Sequence, residues 1–251
     1  MSLTAPVSVI IPTLNEVDNI ETVVERVYAV TSAFGVEIIV VDDGSKDGTQ
    51  ERVRALEAKY PVHLLARANP EQGLCGAIVA GAKLAKYEIV VVLDADLSHP
   101  PERIPDLVNP VRENQRDMVI GSRYVPGGQT PGWPLSRKLM SYGASVCARP
   151  LTSARDSLSG FFATRTRYVT DLAQGFAGFK IALEILVTTN ERLRVGEIPI
   201  VFVDRTRGAS KMNTRVIFTY FRRLFDLFWI VHRRRRRMLA TLPRPVDGAR
   251  K

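Results

Sequence analysis

Short apolar runs alternate with longer helical patterns through the first half of this chain of 251 residues. The runs are rich in Val and Ile and apolar at nearly every position, which is typical of strands buried on both faces of a parallel sheet. Between them, apolar residues recur at helical spacing. The predicted strands cover residues 7–11, 37–41, 62–65, 89–93 and 118–120, and the predicted helices cover 17–33, 49–59 and 74–85. This alternation predicts an α/β fold with a mostly parallel sheet flanked by helices.

The second half of the chain departs from this alternation after Ser122. Glycine and proline are frequent in residues 124–134, which excludes regular structure there. Patterns resume with predicted helices at 136–149, 179–192 and 216–231 and a predicted strand at 195–203. The simplest division is an α/β domain over residues 1–212 and an amphipathic helix with a basic tail over residues 213–251.

The positive charge is concentrated at the C-terminal end. Residues 205–251 hold 14 of the 35 basic residues and only 2 of the 26 acidic residues. The helix at 216–231 is too short and too charged to span a bilayer, but an apolar face beside the basic run at 233–237 suits an interfacial helix on an anionic membrane surface. Two alternatives are a helix packed on the domain with a solvated tail, and nucleic-acid binding, which no recognition motif supports.

Two further features bear on the cellular location. Cys75 and Cys147 lie far apart without the spacing of metal ligands, so we expect free thiols and a reducing compartment. The N-terminal segment has no basic region followed by an apolar stretch, and thus no visible secretory signal. We therefore expect a cytoplasmic protein, associated peripherally with the cytoplasmic face of a membrane.

Polar clusters follow the first, second and fourth predicted strands, at residues 12–16, 42–49 and 94–101. In an open α/β sheet, ligands bind outside the carboxyl ends of the strands. Residues 12–16 contain no glycine and the chain has no Walker loop, which excludes dinucleotide and P-loop sites. The strand ends instead supply carboxylates, which are Glu16, Asp42, Asp43, Asp94 and Asp96.

Asp94 and Asp96 form the cluster that points most specifically to one function. Two carboxylates just past a buried strand can converge on one hard cation whose other ligands are phosphate oxygens and water. Taken alone, such a triplet is more often a turn or a helix cap, and Ser98 before Pro100 suits a cap. The position at a strand end, with companion carboxylates, favours metal binding.

Five segments occur in an order typical of one enzyme group: VIIPTLNE at 9–16, IVVDDGS at 39–45, DADLSHPPE at 94–102, GSRY at 121–124 and DRTRGASK at 204–211. The chain resembles the dolichyl-phosphate (polyprenyl-phosphate) mannose synthases, inverting GT-A glycosyltransferases of family 2. The resemblance implies a GT-A fold, with a mostly parallel Rossmann-like sheet flanked by helices and a C-terminal amphipathic helix. It also implies transfer of mannose from GDP-mannose to a polyprenyl or dolichyl monophosphate with inversion, assisted by Mg²⁺ or Mn²⁺.

The resemblance assigns residues to each part of this site. It implies donor contacts at Pro12, Leu14, Glu16, Val41, Asp43, Asp94, Ala95, Asp96, Arg123, Arg205 and Lys211. It implies acceptor contacts at Arg123, Arg137, Ser141 and Arg205, metal contacts at Asp94, Asp96 and Ser98, and catalytic roles for Asp96, Arg123 and Arg205. Two positions depart from the family, because relatives usually have a base-stacking Tyr at Leu14 and often a Gln at Ser98.

A lipid monophosphate acceptor needs no protein general base. Its second pKa is near 6 by analogy with phosphorylated side chains, so it is largely dianionic at neutral pH. We therefore expect direct in-line attack on the sugar, with no acid-base role for His63, His99 or His232. Residues 156–162 also match the family near the sugar, although a turn entering a buried strand explains them equally well. The sequence leaves open a UDP-glucose donor and a membrane-bound partner subunit.

Overall fold

The structure is a computed structural model that describes residues 5–173, 180–189, 192–204 and 214–241. Arg205 and Lys211, both expected to contact phosphates, lie outside the described residues. The described part of the chain forms one sheet covered by helices on both faces.

Seven strands form this sheet in the order β3-β2-β1-β4-β6-β5-β7. The strands are β1 Val7–Thr13, β2 Val36–Asp42, β3 Val62–Ala66, β4 Ile89–Val92, β5 Met118–Ser122, β6 Phe162–Arg165 and β7 Val195–Pro199. All neighbours run parallel except β6, which is antiparallel to both β4 and β5. The register of β1 and β2 pairs Thr13 with Asp42, so the polar segments after these strands begin side by side.

The helices of the structure are α1 Ile20–Thr31, α2 Thr49–Leu56, α3 Gly73–Leu84, α4 Ile104–Arg112, α5 Leu135–Ala148, α6 Thr166–Thr170, α7 Ile181–Thr188 and α8 Thr214–Thr241. Side chains alternate between the two faces of each strand. In β1, Val9 and Ile11 pack with α1, α2 and α4, whereas Ile10 packs on the other face with α3, α6 and α7. Both faces of the sheet are therefore buried, as the continuous apolar runs predicted.

The predicted α/β fold, with its mostly parallel sheet and C-terminal helix, is confirmed, and each predicted strand and helix has a counterpart. Most boundaries differ by one to three residues, and three elements in the second half of the chain differ by more. The strand expected at 195–203 ends at Pro199, the helix expected at 179–192 is described over Ile181–Thr188, and the helix expected at 216–231 extends over Thr214–Thr241. Residues 124–134 contain no helix or extended strand, only a single bridge between Gln129 and Val201.

The C-terminal helix α8 packs on the domain through one face. Tyr220 and Leu227 are buried in a cluster with Ala148 of α5 and with Leu183 and Val187 of α7. Exposed aromatic side chains lie elsewhere on α8, at Phe218, Phe221, Phe225, Phe228 and Trp229. The described residues include no helix with the length and low charge of a membrane span.

Candidate active site

The segments that follow β1 and β2 are joined by hydrogen bonds at the carboxyl edge of the sheet. The backbone N–H of Asp43 donates to the Thr13 carbonyl at 3.1 Å. The N–H of Asn15 donates to Ser45 Oγ at 2.8 Å, and the N–H of Glu16 donates to Thr49 Oγ1 at 3.0 Å. The structure thus brings together two of the three polar clusters that the sequence predicted.

The adjacent carboxylates Asp42 and Asp43 have different surroundings. Asp42 is fully buried and accepts from the backbone N–H groups of Gly44 and Ser45, at 3.0 and 2.9 Å, and from Gln50 Nε2 at 2.6 Å. These bonds hold the turn after β2. Asp43 instead forms a bidentate ion pair with Arg67, with distances of 2.6 and 2.9 Å. Asp43 is therefore the better placed of the two for a ligand role.

Arg67 is a site residue that the sequence reasoning missed. It comes one residue after β3, and its side chain also donates to the carbonyl oxygens of Glu71 and Gly73, both at 3.2 Å. A Cβ on Gly76 would lie 2.8 Å from Arg67 Nη1, so the glycine leaves room for the guanidinium. Ligands bind outside the carboxyl ends of the strands in such a sheet, and the position of Arg67 just past β3 could have identified it in the same way.

The other expected nucleoside contacts lie at or just past the ends of β1 and β2. Pro12 and Val41 are buried at the ends of β1 and β2. Leu14 is 43% exposed beside Asn15, which has a left-handed backbone with φ of 57°. Glu16 accepts from Asn19 Nδ2 at 2.8 Å. The exposed Leu14 side chain can therefore make apolar contact with a ligand bound past the end of β1.

Asp94 and Asp96 follow β4, the central strand beside β1. Asp96 is 6% exposed, and its Oδ1 accepts from the backbone N–H of Ser98 at 3.0 Å and from Ser98 Oγ at 2.6 Å. Leu97, between them, has a φ of 63°, a strained conformation for a leucine. The Asp94 side chain is 29% exposed, and Ala95 is buried. Ser98 thus fixes the orientation of the Asp96 carboxylate.

His99 is hydrogen-bonded to the backbone of Asp94. The Asp94 backbone N–H donates to His99 Nδ1 at 3.1 Å, which requires that this nitrogen carry no proton. Burial lowers the pKa of His99, although Asp94 and Asp96 act in the opposite direction. The imidazole is therefore neutral and serves as a hydrogen-bond acceptor, and the absence of an acid-base role for it stays a prediction.

The carboxylates of Asp94 and Asp96 are suitable ligands for a hard divalent cation. Carboxylate oxygens are the ligands that Mg²⁺ and Mn²⁺ prefer, with further positions filled by water and substrate phosphates. Within the described ranges, no group of three or more His, Cys, Asp or Glu side chains is arranged to hold a metal. A cation at Asp94 and Asp96 would complete its coordination with water, substrate phosphates or a nearby hydroxyl oxygen.

Arg123 lies just past β5 and is paired with Asp156. Its Nε and Nη2 each donate to the Asp156 carboxylate at 2.8 Å, and its backbone N–H donates there at 2.9 Å. Burial alone would lower the pKa of Arg123, but the hydrogen bonds and charge of Asp156 outweigh it and raise the pKa. The guanidinium stays charged, and Nη1 is the nitrogen left to face a ligand.

A cavity of about 520 Å³ opens beside Arg123, bordered by Tyr124, Lys138, Leu139 and Tyr142. Tyr124 Oη donates to Ser141 Oγ at 2.6 Å, which places Ser141 next to this cavity. Arg137 is nearby, ion-paired with Asp204 at 2.6 Å and stacked over Trp133 with its guanidinium carbon 4.1 Å from the ring centre. The structure therefore gathers Arg123, Ser141 and Arg137, the three expected acceptor residues that it describes.

Lys180 adds a cation that the sequence reasoning did not single out. It precedes α7. Burial is the main cause that lowers the pKa of its ammonium, and nearby Arg123 adds to this, whereas Asp94 opposes it. Lys180 therefore lies close enough to Arg123 and Asp94 to share their electrostatic environment. No spacing or motif in the sequence connects Lys180 with either residue.

A Rossmann-like sheet with carboxylates at the ends of β2 and β4 and arginines beyond β5 is the arrangement expected of a glycosyltransferase of GT-A fold. The comparisons with known proteins agree. The family model for glycosyl transferase family 2 matches residues 8–183, and the chain belongs to this family.

Several curated relatives are named dolichol-phosphate mannosyltransferase, and two of them show the extent of the similarity. The protein from Pyrococcus furiosus is 43% identical over 88% of this chain and 63% of its own length, and the protein from Saccharomyces cerevisiae is 39% identical over 88% of this chain and 86% of its own. The chain thus spans less than two thirds of the Pyrococcus protein. Glucosyl-3-phosphoglycerate synthase from Mycobacterium tuberculosis, solved with Mn²⁺ and UDP, shares the fold, with a TM-score of 0.65 and 22% identity over 89% of this chain and 78% of that chain.

Proposed function

We propose that the protein transfers mannose from GDP-mannose to a polyprenyl or dolichyl monophosphate, with inversion at the anomeric carbon. The observation that carries this proposal is that two unlike regions lie close together: Phe202 contacts both Arg123, which borders the cavity, and His99, which accepts a hydrogen bond from the Asp94 backbone. Carboxylates at the ends of β2 and β4 suit a nucleotide-sugar, and an arginine-bordered cavity with apolar α5 side chains suits a lipid phosphate. The names of the relatives from Pyrococcus and Saccharomyces support the same reaction.

The nucleoside of the donor would bind over the ends of β1 and β2. Asp43 would accept hydrogen bonds from the base or ribose, since Arg67 holds both of its oxygens in a fixed plane. Pro12, Val41 and Leu14 would supply the apolar contacts, and Glu16 would border the ribose. A leucine gives less base contact than a tyrosine, so we expect GDP to bind with modest affinity.

Asp94 and Asp96 would hold Mg²⁺ or Mn²⁺ against the donor diphosphate, beside the backbone of Ala95. The cation would supply charge stabilisation for the departing diphosphate. Ser98 orients Asp96 through its hydroxyl and remains the third candidate ligand, because a hydroxyl oxygen that donates one bond keeps lone pairs. Arg205 and Lys211 would add positive charge at the donor phosphates.

The acceptor phosphate would occupy the cavity beside Arg123, near Ser141 and Arg137. One of its oxygens attacks C1 of the mannose, a new C1–O bond forms, and the bond from C1 to the diphosphate breaks. The dianionic phosphate has no proton to lose, so no general base is required. Arg123, held by Asp156, would position the acceptor and reduce the repulsion between two anionic reactants.

The exposed aromatic face of α8 would lie on an anionic membrane surface. The helix continues through the basic residues 233–237, and α5 exposes Leu139 and Tyr142 at the acceptor cavity. An apolar face beside cationic side chains is the pattern of interfacial helices. The lipid acceptor could then reach Arg123 without leaving the cytoplasmic leaflet.

The donor and acceptor are tested by incubating the full chain with a polyprenyl monophosphate, Mg²⁺ or Mn²⁺ and a panel of GDP- and UDP-sugars. We expect a hexosyl phosphoryl lipid from GDP-mannose that disappears when the metal is chelated. A product formed mainly from UDP-glucose would overturn the donor assignment and favour the glucosyltransferase alternative. Salt-sensitive retention on DNA with no retention on anionic vesicles would instead favour the nucleic-acid alternative.

A further inference from the structure

Glu184 on α7 and Arg223 on α8 form a buried bidentate ion pair. Arg223 Nε donates to Glu184 Oε1 and Nη2 donates to Oε2, both at 2.7 Å. The Glu184 side chain is 1% exposed and the Arg223 side chain is 12% exposed. A charge removed from water is costly unless it is paired with good geometry. The pair therefore penalises any arrangement of α8 that separates these two side chains.

Tyr220 and Leu227, both buried in the cluster with α5 and α7, flank Arg223 on the same face of α8. Tyr220 is buried and its hydroxyl donates to the Ala144 carbonyl of α5 at 2.7 Å, and Leu227 is buried one turn further along. Residues spaced by three and four share one side of a helix. The side of α8 that carries Tyr220, Arg223 and Leu227 is therefore fixed against α5 and α7.

The rotation of α8 determines where its exposed aromatic residues lie. Phe218, Phe221 and Phe225 lie on a different side of α8 from Arg223. Rotation of α8 about its own axis would therefore move these three side chains relative to α5. On α5, Leu139 and Tyr142 are exposed and border the cavity beside Arg123. The Glu184–Arg223 pair thus fixes the membrane-binding face in relation to the mouth of the acceptor cavity.

We propose that Glu184 and Arg223 are positioning residues that hold α8 in one rotation on the catalytic domain, so that an enzyme lying on a lipid surface presents its acceptor cavity to the lipid phosphate. This inference rests on the proposed function. In this proposal the Glu184–Arg223 pair affects how well the enzyme uses an acceptor embedded in a membrane. The pair takes no part in the chemical step and does not itself bind the membrane.

The test compares two acceptors with the full chain. One is a short-chain prenyl monophosphate in buffer, and the other is a long-chain polyprenyl monophosphate in vesicles of phosphatidylethanolamine and phosphatidylglycerol. The variants are Arg223→Met, Arg223→Lys and Glu184→Gln. The matched control is Arg222→Met, which removes a neighbouring exposed arginine and the same charge. Rates on vesicles are normalised to the amount of enzyme that sediments with them.

We expect Arg223→Met and Glu184→Gln to keep the wild-type rate in buffer and to lose about tenfold or more of the vesicle rate. Arg223→Lys should recover part of that loss, and Arg222→Met should retain the vesicle rate. Equal vesicle rates for Arg223→Met and Arg222→Met would overturn the proposal, as would equal losses on both acceptors in both pair variants. The wild-type rate in buffer tests the proposed function separately.

Discussion

Asp156 holds Arg123 through three hydrogen bonds, two from the guanidinium and one from the backbone N–H, and its side chain is fully buried. Replacing Asp156 by Asn leaves a buried guanidinium without its counter-charge. We expect Asp156→Asn to lower the free energy of unfolding by about 3–5 kcal/mol, the usual cost of breaking a buried pair. Urea unfolding followed by circular dichroism measures this change.

The ion pair of Arg26 and Glu102 is a matched control for Asp156. It has the same bidentate geometry, with both distances at 2.8 Å, but its side chains are 38% and 52% exposed. We expect Glu102→Gln to cost at most about 1 kcal/mol, because water screens an exposed pair. Equal losses in the two variants would show that burial does not determine the contribution of Asp156.

Arg67 orients Asp43, so removing its guanidinium should weaken binding of the nucleotide-sugar. We expect Arg67→Gln to raise the KM for the donor about tenfold with little change in kcat, because a charge-assisted hydrogen bond contributes about 1.5–3 kcal/mol. Arg54→Gln, on the exposed side of α2, is the control and should leave the KM as it is. A fall in kcat at constant KM would place Arg67 in the chemical step instead.

Phe225 lies on the exposed face of α8, with 63% of its surface in solvent. If that face enters a lipid surface, Phe225→Ser should weaken sedimentation with anionic vesicles by about tenfold, since burying a phenylalanine side chain is worth about 1.5–3 kcal/mol. Leu84→Ser, at a leucine on α3 that is 55% exposed, is the control. Similar binding by the two variants would contradict the assignment of α8 as the membrane-binding face.

Cys75 and Cys147 should differ sharply in reactivity. Cys75 is 1% exposed, and burial raises the pKa of its thiol to about 12, so almost no thiolate forms at pH 8. Cys147 is exposed on α5. We expect iodoacetamide to modify one thiol of the native protein and two thiols after denaturation, counted by mass. Rapid modification of Cys75 in the native protein would contradict the packing of α3 on the sheet.

Much of the fold could be predicted because its central strands β1, β2 and β4 are nearly continuous apolar runs buried on both faces. Strand β6 was expected only as one alternative, a buried strand entered from a turn at 156–162, and without bounds, because Phe162–Arg165 contains polar Thr164 and Arg165. Its antiparallel insertion between β4 and β5 depends on pairings with residues far away in the sequence. Local patterns carry no information about such pairings.

The positions of the site carboxylates could also be predicted from the order of the strands. Parallel strands place their carboxyl ends at one edge, so Asp43, Asp94 and Asp96 could be expected to lie near one another. The partners of the charged residues could not be predicted, since Arg67 is 24 residues from Asp43 and Asp156 is 33 residues from Arg123. Such partners are set by tertiary packing.

The central claim is that the acceptor phosphate attacks the anomeric carbon of mannose directly. Mass spectrometry and proton NMR of the products from GDP-mannose and a polyprenyl monophosphate test it most directly, with Asp96→Asn as the inactive comparison. We expect GDP and a lipid that carries one phosphate and one β-linked mannose, formed by the wild type and reduced by at least about a hundredfold in the variant. GMP with a diphosphate-linked lipid, an α-linked product, or full turnover by Asp96→Asn would contradict the account.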